Sequence, residues 1–210
     1  MNIYKLTEKI NEQSNEIIDN LDYESINVYK FLKDEFKKSD VTKNPVFQFV
    51  FRSFYRLDMA GLTKEFKTEY FKIMETSKTK GYNISEILRK LYAFENIKGQ
   101  ENIQFSFTTK MINMLNDKEP IYDNLVAKKF KMRRPNHYLT YDEKVKKYLT
   151  DYETIKHSYD KIKKENLLER VVKDFDKKFI NNELSFTKKL DFIFWSAGKL
   201  EKKTNAQQYI

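Results

Sequence analysis

Apolar residues recur at three- and four-residue intervals along nearly the whole chain, the period of an α-helix that buries one face. Residues 3–19 carry Ile3, Leu6, Ile10 and Ile17, and residues 23–37 carry Tyr23, Ile26, Tyr29, Leu32 and Phe36. After Pro45, the run Val46, Phe47, Phe49, Val50, Phe51, Phe54, Tyr55 and Leu57 is apolar on most sides and predicts a central, buried helix. Leu62-Thr63 opens the next, with Phe66, Tyr70, Phe71, Ile73 and Met74 facing inward. Asn83 and Glu86 have the spacing of a capping box ahead of Ile87, Leu88, Leu91, Tyr92 and Phe94, and Lys98-Gly99-Gln100 stops that helix.

A helix is expected over 103–115 and a short one over 123–131, halted before Pro135. Thr140 with Glu143 caps a long stripe of Tyr141, Val145, Tyr148, Tyr152, Ile155, Tyr159 and Ile162. Its alternating four- and three-residue spacing resembles a coiled-coil seam, but its tyrosines suit packing along a globular core. The last helices are expected near 167–180 and 187–200, the latter with Leu190, Phe192, Ile193, Phe194 and Trp195 ahead of Gly198. The pattern predicts an all-α protein: a single globular multi-helix domain over 1–210, or at most two small lobes sharing an interface.

Composition narrows the chemistry. Only 4 Gly and 3 Pro in 210 residues argue against barrels, sandwiches and glycine-looped nucleotide folds, which need frequent tight turns. With no Cys, disulfides, thiolate metal sites and a cysteine nucleophile are excluded. The two histidines, His137 and His157, lack ligand spacing and are expected at the surface, so neither a metal site nor a cofactor is predicted. No run approaches the ~20 apolar residues of a membrane span. The N-terminal residues enter an amphipathic pattern rather than a secretory one, so a cytoplasmic location is expected.

The chain carries 40 Lys+Arg against 31 Asp+Glu, a net of +9. Residues 1–100 hold 17 basic and 15 acidic residues, and residues 101–210 hold 23 and 16, so the excess lies in the second half. A polyanion-binding face has this distribution, and so has a surface whose solvated helix faces are filled with lysine. The densest cluster is Lys128-Lys129-Phe130-Lys131-Met132-Arg133-Arg134, five basic residues in seven. If helical, Lys128, Lys129, Lys131 and Arg133 share a broad face, and Arg suits bidentate phosphate contact. The alternative is a solubilising helix end whose cations complement the dipole.

One segment stands apart from the helical stripes. Gln104 to Leu115 reads as an apolar helix that Ser106 can cap, placing Lys110 in its first turn or two. Pro120-Ile121-Tyr122 is extended, and Asp123 falls where the next helix begins, where an N-cap role alone would explain it. A Lys at the start of an apolar helix, a short turn, then Pro-Ile-Tyr-Asp opening another helix resembles the helix-hairpin-helix DNA glycosylase superfamily. Phe51-Arg52-Ser53-Phe54-Tyr55-Arg56-Leu57 and Gly61-Leu62-Thr63 are also similar to a family of uncharacterised bacterial proteins with this layout. The match covers about twenty residues within a site segment at 103–135. Gln104 to Thr109 lacks the glycines of the family's Leu-Pro-Gly-Val-Gly hairpin.

The resemblance implies a helix-hairpin-helix glycosylase-like fold, with DNA rather than RNA as partner and excision of a modified or damaged base. Asp123 would be the catalytic carboxylate and Lys110 the nucleophile of a glycosylase with lyase activity. Lys128, Lys129, Lys131, Arg133 and Arg134 would hold phosphates. Tyr55, Tyr122, Phe192 and Trp195 are candidates for a base pocket, with core packing as their alternative role. Asp191 and Lys199, polar residues beside the apolar run around Trp195, form a further candidate pair. Two other readings remain: a catalytically inactive nucleic-acid-binding relative, and a helical module that binds a protein partner through 141–162 and 187–200.

Overall fold

A computed structural model of the chain describes residues 2–207, without the side chains of 203–207. The described residues form eleven α-helices and no strand, and the all-helical reading of the sequence holds. In chain order these are α1 (Ile3–Glu12), α2 (Ser14–Asp19), α3 (Tyr23–Lys38), α4 (Pro45–Phe54), α5 (Lys64–Lys80), α6 (Ile84–Tyr92), α7 (Phe105–Leu115), α8 (Asn124–Lys129), α9 (Tyr141–Lys164), α10 (Glu169–Lys178) and α11 (Phe186–Gln207). A single 3-10 turn, Leu57–Met59, follows α4.

Helix starts follow the short polar side chains that satisfy otherwise orphaned backbone N–H groups. Asn44 accepts from Phe47 N–H ahead of Pro45, Thr63 from Phe66 N–H, and Asn83 from Glu86 N–H. Thr140 and Glu143 close a complete capping box on α9. Asp123 accepts from Leu125 N–H at 2.8 Å and caps α8.

The chain divides into two compact units. One comprises Met1–Tyr23 with Asp117–Ile210, and the other Glu24–Asn116. The Glu24–Asn116 unit is built on an aromatic core. The Phe47 ring lies 5.7 Å from Phe51 and 6.2 Å from Phe71, with Phe66 and Tyr70 buried beside them. Each such ring contributes on the order of 2–3 kcal/mol by leaving water. Helix α4 departs from expectation, because Val46 and Phe49 are exposed and only Phe47 and Phe51 are buried along it. Its apolar residues exceed what one buried face can take, so it is two-sided rather than central.

In the other unit, α11 packs on α8, α2 and α9, while α10 packs on α1 and α2. The predicted helix over 3–19 is broken at Gln13, which caps the end of α1 and precedes α2. Buried Val145, Tyr152, Ile155, Tyr159 and Ile162 form the inward face of α9, as the stripe predicts. Gly198 is helical, as the expected 187–200 range implies. It lies inside α11, where an added Cβ would meet Leu125 Cβ at 2.7 Å and the Leu125 carbonyl oxygen at 3.2 Å. The missing side chain is what lets α8 approach α11 so closely.

Candidate functional site

After α7 ends at Leu115 the chain turns over 117–119, and from Pro120 to Asp123 it runs without helix, with Pro120, Ile121 and Tyr122 buried and their backbone groups in need of partners. The unit satisfies them with buried polar side chains. Tyr152 Oη lies 3.0 Å from both the Pro120 carbonyl oxygen and Glu119 Oε2, and Lys156 Nζ is 3.2 Å from the same carboxylate oxygen. Ile121 N–H donates to Asp191 Oδ1 at 3.1 Å, and Tyr159 O–H donates to that oxygen at 3.3 Å. Asp123 N–H turns back to the Ile121 carbonyl at 3.1 Å before its side chain caps α8. Two helices, α9 and α11, thus fix the backbone that presents Asp123.

Asp191 is 5% exposed, and its Oδ2 makes no hydrogen bond. Lys188 Nζ, itself buried, stands 3.9 Å from that oxygen. Burial pushes the Asp191 carboxyl up to about 7. The Lys188 charge and the bonds from Ile121 and Tyr159 oppose that rise, and the Asp123 charge adds to it. Burial wins because a carboxylate with one orphaned oxygen is a poor exchange for hydration. The Tyr159 hydroxyl is pushed well above its ordinary range, chiefly by its own burial and then by the Asp191 charge.

Tyr122 packs edge-on against Tyr148 at 5.6 Å and is buried. Its hydroxyl is raised by burial and by the Asp151 and Tyr148 charges, against the pull of Arg134. Trp195 is half-buried, with Lys199 Nζ 4.4 Å from the centre of its ring. Phe192 is buried 6.4 Å from Phe175.

The basic cluster differs from its sequence reading in two ways. First, α8 ends at Lys129, so 128–134 is not one helical face. Met132 N–H bonds the Ala127 carbonyl and Lys131 N–H that of Lys128, with Lys131 left-handed at φ 57. These are the two bonds of a Schellman cap, with a lysine where glycine usually stands. Second, Lys129 leaves the surface: it is 8% exposed and ion-paired to Glu201 at 3.0 Å, which withdraws it from phosphate contact. Lys128, Lys131, Arg133 and Arg134 remain exposed around the cap.

Lys110 and Tyr55 belong to the Glu24–Asn116 unit. Ser106 is not the cap of α7. The helix starts at Phe105, with Gln104 at its boundary, so Lys110 is the sixth of its eleven residues. The reason is local: Phe105 is buried and takes the first helical position, and the Ser106 carbonyl accepts from the Thr109 hydroxyl at 3.0 Å. Lys110 is 9% exposed, with Nζ 4.7 Å from the centre of the Phe107 ring and 5.7 Å from that of Tyr55. Ring faces at this range suit an ammonium ion. Tyr55 is itself buried and packs 4.7 Å from Phe51.

Among the described residues, no three His, Asp or Glu side chains gather as metal ligands, and no helix is long and apolar enough to cross a membrane. His137 and His157 are exposed, and His157 Nδ1 lies 2.7 Å from the Glu153 carbonyl. The sequence reading missed Tyr152, Tyr159, Lys188 and Glu119 as supports of the Asp123 segment. The hydroxyls of Tyr152 and Tyr159 were hidden in an apolar stripe whose period accounts for their rings alone. No family model, curated protein or solved structure matches the chain.

Proposed function

We propose that this chain is a divergent, DNA-binding relative of the helix-hairpin-helix DNA glycosylases that releases a modified or damaged base, with Asp123 as its catalytic carboxylate. The observation that carries the reading is the Pro120-Ile121-Tyr122-Asp123 segment, pinned by Tyr152 and Asp191 and followed within eleven residues by four exposed cations. The resemblance supplies the reaction, and the pinned carboxylate beside a basic turn supplies a place for part of it.

A glycosylase takes its base out of the stack, and C1′ becomes cation-like as the N-glycosidic bond breaks. A carboxylate held by its own backbone is already oriented for that charge and needs little reorganisation. Capping α8 does not compete with this role, because an ionised carboxyl has about four acceptor positions. Water then adds its oxygen to C1′ and its proton leaves with the base. The resemblance gives Lys110 the nucleophile's role, which requires the free amine. Its place over two ring faces suits the ammonium instead, so the proposal puts the chemistry on Asp123 and water.

The test is base release, followed by borohydride trapping, on duplex and single-stranded DNAs carrying abasic sites or modified bases. Asp123→Asn should abolish release while keeping the fold, since Asn caps helices as well as Asp. Lys110→Ala should not remove a covalent adduct, because none is expected. Base release that survives Asp123→Asn would sink the catalytic assignment. Salt-sensitive retention of DNA without base release from any substrate would favour the inactive relative, the reading to which the missing hairpin glycines also point.

A further inference from the structure

Beside the Schellman cap lies a cleft of about 440 Å³, bounded by the 130–133 turn, Ile3 of α1 and one face of α9. Its polar groups are sorted by type. Lys131 and Arg133, both exposed, bring donors from the turn. On α9, Lys147 and Asp151 form an ion pair, with Nζ 2.6 Å from Oδ1, so the acid adds no net charge to repel an anion.

The remaining α9 groups offer acceptors. The Thr154 hydroxyl donates to the Thr150 carbonyl at 2.9 Å, and the Ser158 hydroxyl to that of Thr154 at 2.7 Å. Both residues line the cleft, and with their protons committed to the helix their hydroxyl oxygens have acceptor capacity left to offer. Lys147 Nζ also lies 2.5 Å from Asp151 Oδ2, and each oxygen of this buried carboxylate keeps a further lone pair. The floor is apolar, formed by half-buried Ile3 and Met132. A ligand complementary to this lining has an anionic end, a flat apolar body and amine donors.

We propose that the cleft binds a nucleotide whose base carries an exocyclic amine, with its phosphate on Lys131 and Arg133 and the amine toward Asp151, Thr154 and Ser158. As a residue of DNA, such a nucleotide would give the cleft a role in strand selection, and this form of the inference rests on the proposed DNA binding. Cytosine and adenine present an amine where thymine presents the O4 acceptor, so an acceptor wall discriminates among them. The same chemistry fits a free nucleotide, and experiment separates the two sources.

The measurement is binding of labelled oligo-dC, oligo-dA and oligo-dT of about twelve nucleotides, with dCMP and dTMP titrated separately. Oligo-dC and oligo-dA should bind more tightly than oligo-dT by about five-fold or more. Asp151→Ala should bring that ratio near one, and the Lys147 charge it uncovers should strengthen rather than weaken retention of all three strands. Lys131→Gln with Arg133→Gln should weaken all three strands. Thr154→Val with Ser158→Ala, on the outer face of α9, tests the same wall without touching the ion pair. DNA retained with no base preference, or a preference indifferent to both sets of α9 variants, would overturn the cleft assignment and leave the DNA-binding reading standing. Preference for dCMP over dTMP that depends on Asp151, with no strand retained, would keep the cleft as a site for free nucleotides and overturn its role in strand selection. Neither strand nor nucleotide bound would overturn the cleft assignment in both its forms and leave DNA binding to be judged on the duplex.

Discussion

Lys131 holds left-handed backbone, which costs an L-residue about 1–2 kcal/mol, at the one position of its cap where glycine is usual. A lysine kept there at that cost makes sense if its charge is used, as it would be in the proposed DNA contact and the proposed cleft. Lys131→Gly should therefore raise stability by up to about 1 kcal/mol, read as an increase in Tm, while weakening DNA retention. A loss of both would mean that the side chain supports the fold.

Asp191 gives a second expectation at this scale. Its carboxyl titrates near 7 in the folded chain against 3.8 as the ordinary value, because burial disfavours its charge. Between these two values the folded state keeps a proton that the unfolded state has released, so stability falls as pH rises from about 4 to about 7 and then levels. Lys188, Tyr159 and Asp123 are the ionisable groups facing it. Asp191→Asn removes this dependence. The Tm of the variant minus that of the native chain should grow from pH 4 to pH 7 and stay constant above. A difference that is flat with pH would mean that Lys188 keeps Asp191 ionised throughout. Asp191 stood out in the sequence as a polar residue within an apolar run. Its bond to Ile121, seventy residues away, has no local signature.

At the scale of elements, the delicate contact is α8 against α11. Gly198→Ala would gain helix propensity of up to about 1 kcal/mol, but its Cβ would meet the Leu125 backbone, which no side-chain rotation relieves. Overpacking of this kind costs about 1–3 kcal/mol, so the variant should melt lower and exchange amide hydrogens faster in α8. Unchanged protection of α8 would show that the two helices can separate without loss. Gly198 illustrates what the sequence conceals, since the 187–200 pattern places it in a helix but does not show the close approach it permits. Ser106 is similar: a good capping side chain lost to the burial of Phe105. The caps at Asn83, Asp123 and Thr140 were legible because their bonds span only two or three residues. The two-sidedness of α4 was not, since tertiary neighbours alone decide which of its phenylalanines are covered.

For the whole molecule, charge counted along the chain differs from charge counted by unit. The acidic N-terminal residues belong with 117–210, giving that unit 24 basic and 20 acidic residues, while Glu24–Asn116 has 16 and 11. The nets, +4 and +5, are nearly equal, so the basic second half does not by itself mark a polyanion face. The local exposure of Lys128, Lys131, Arg133 and Arg134 is what favours nucleic acid instead. The most direct measurement is therefore retention of a mixed-sequence duplex as a function of salt, for the native chain and for Arg133→Gln with Arg134→Gln. DNA bound through these residues predicts a steep native dependence and a log–log slope shallower by roughly two in the variant. A native chain that retains no DNA at low salt, or a variant with the same slope and affinity, would contradict the account.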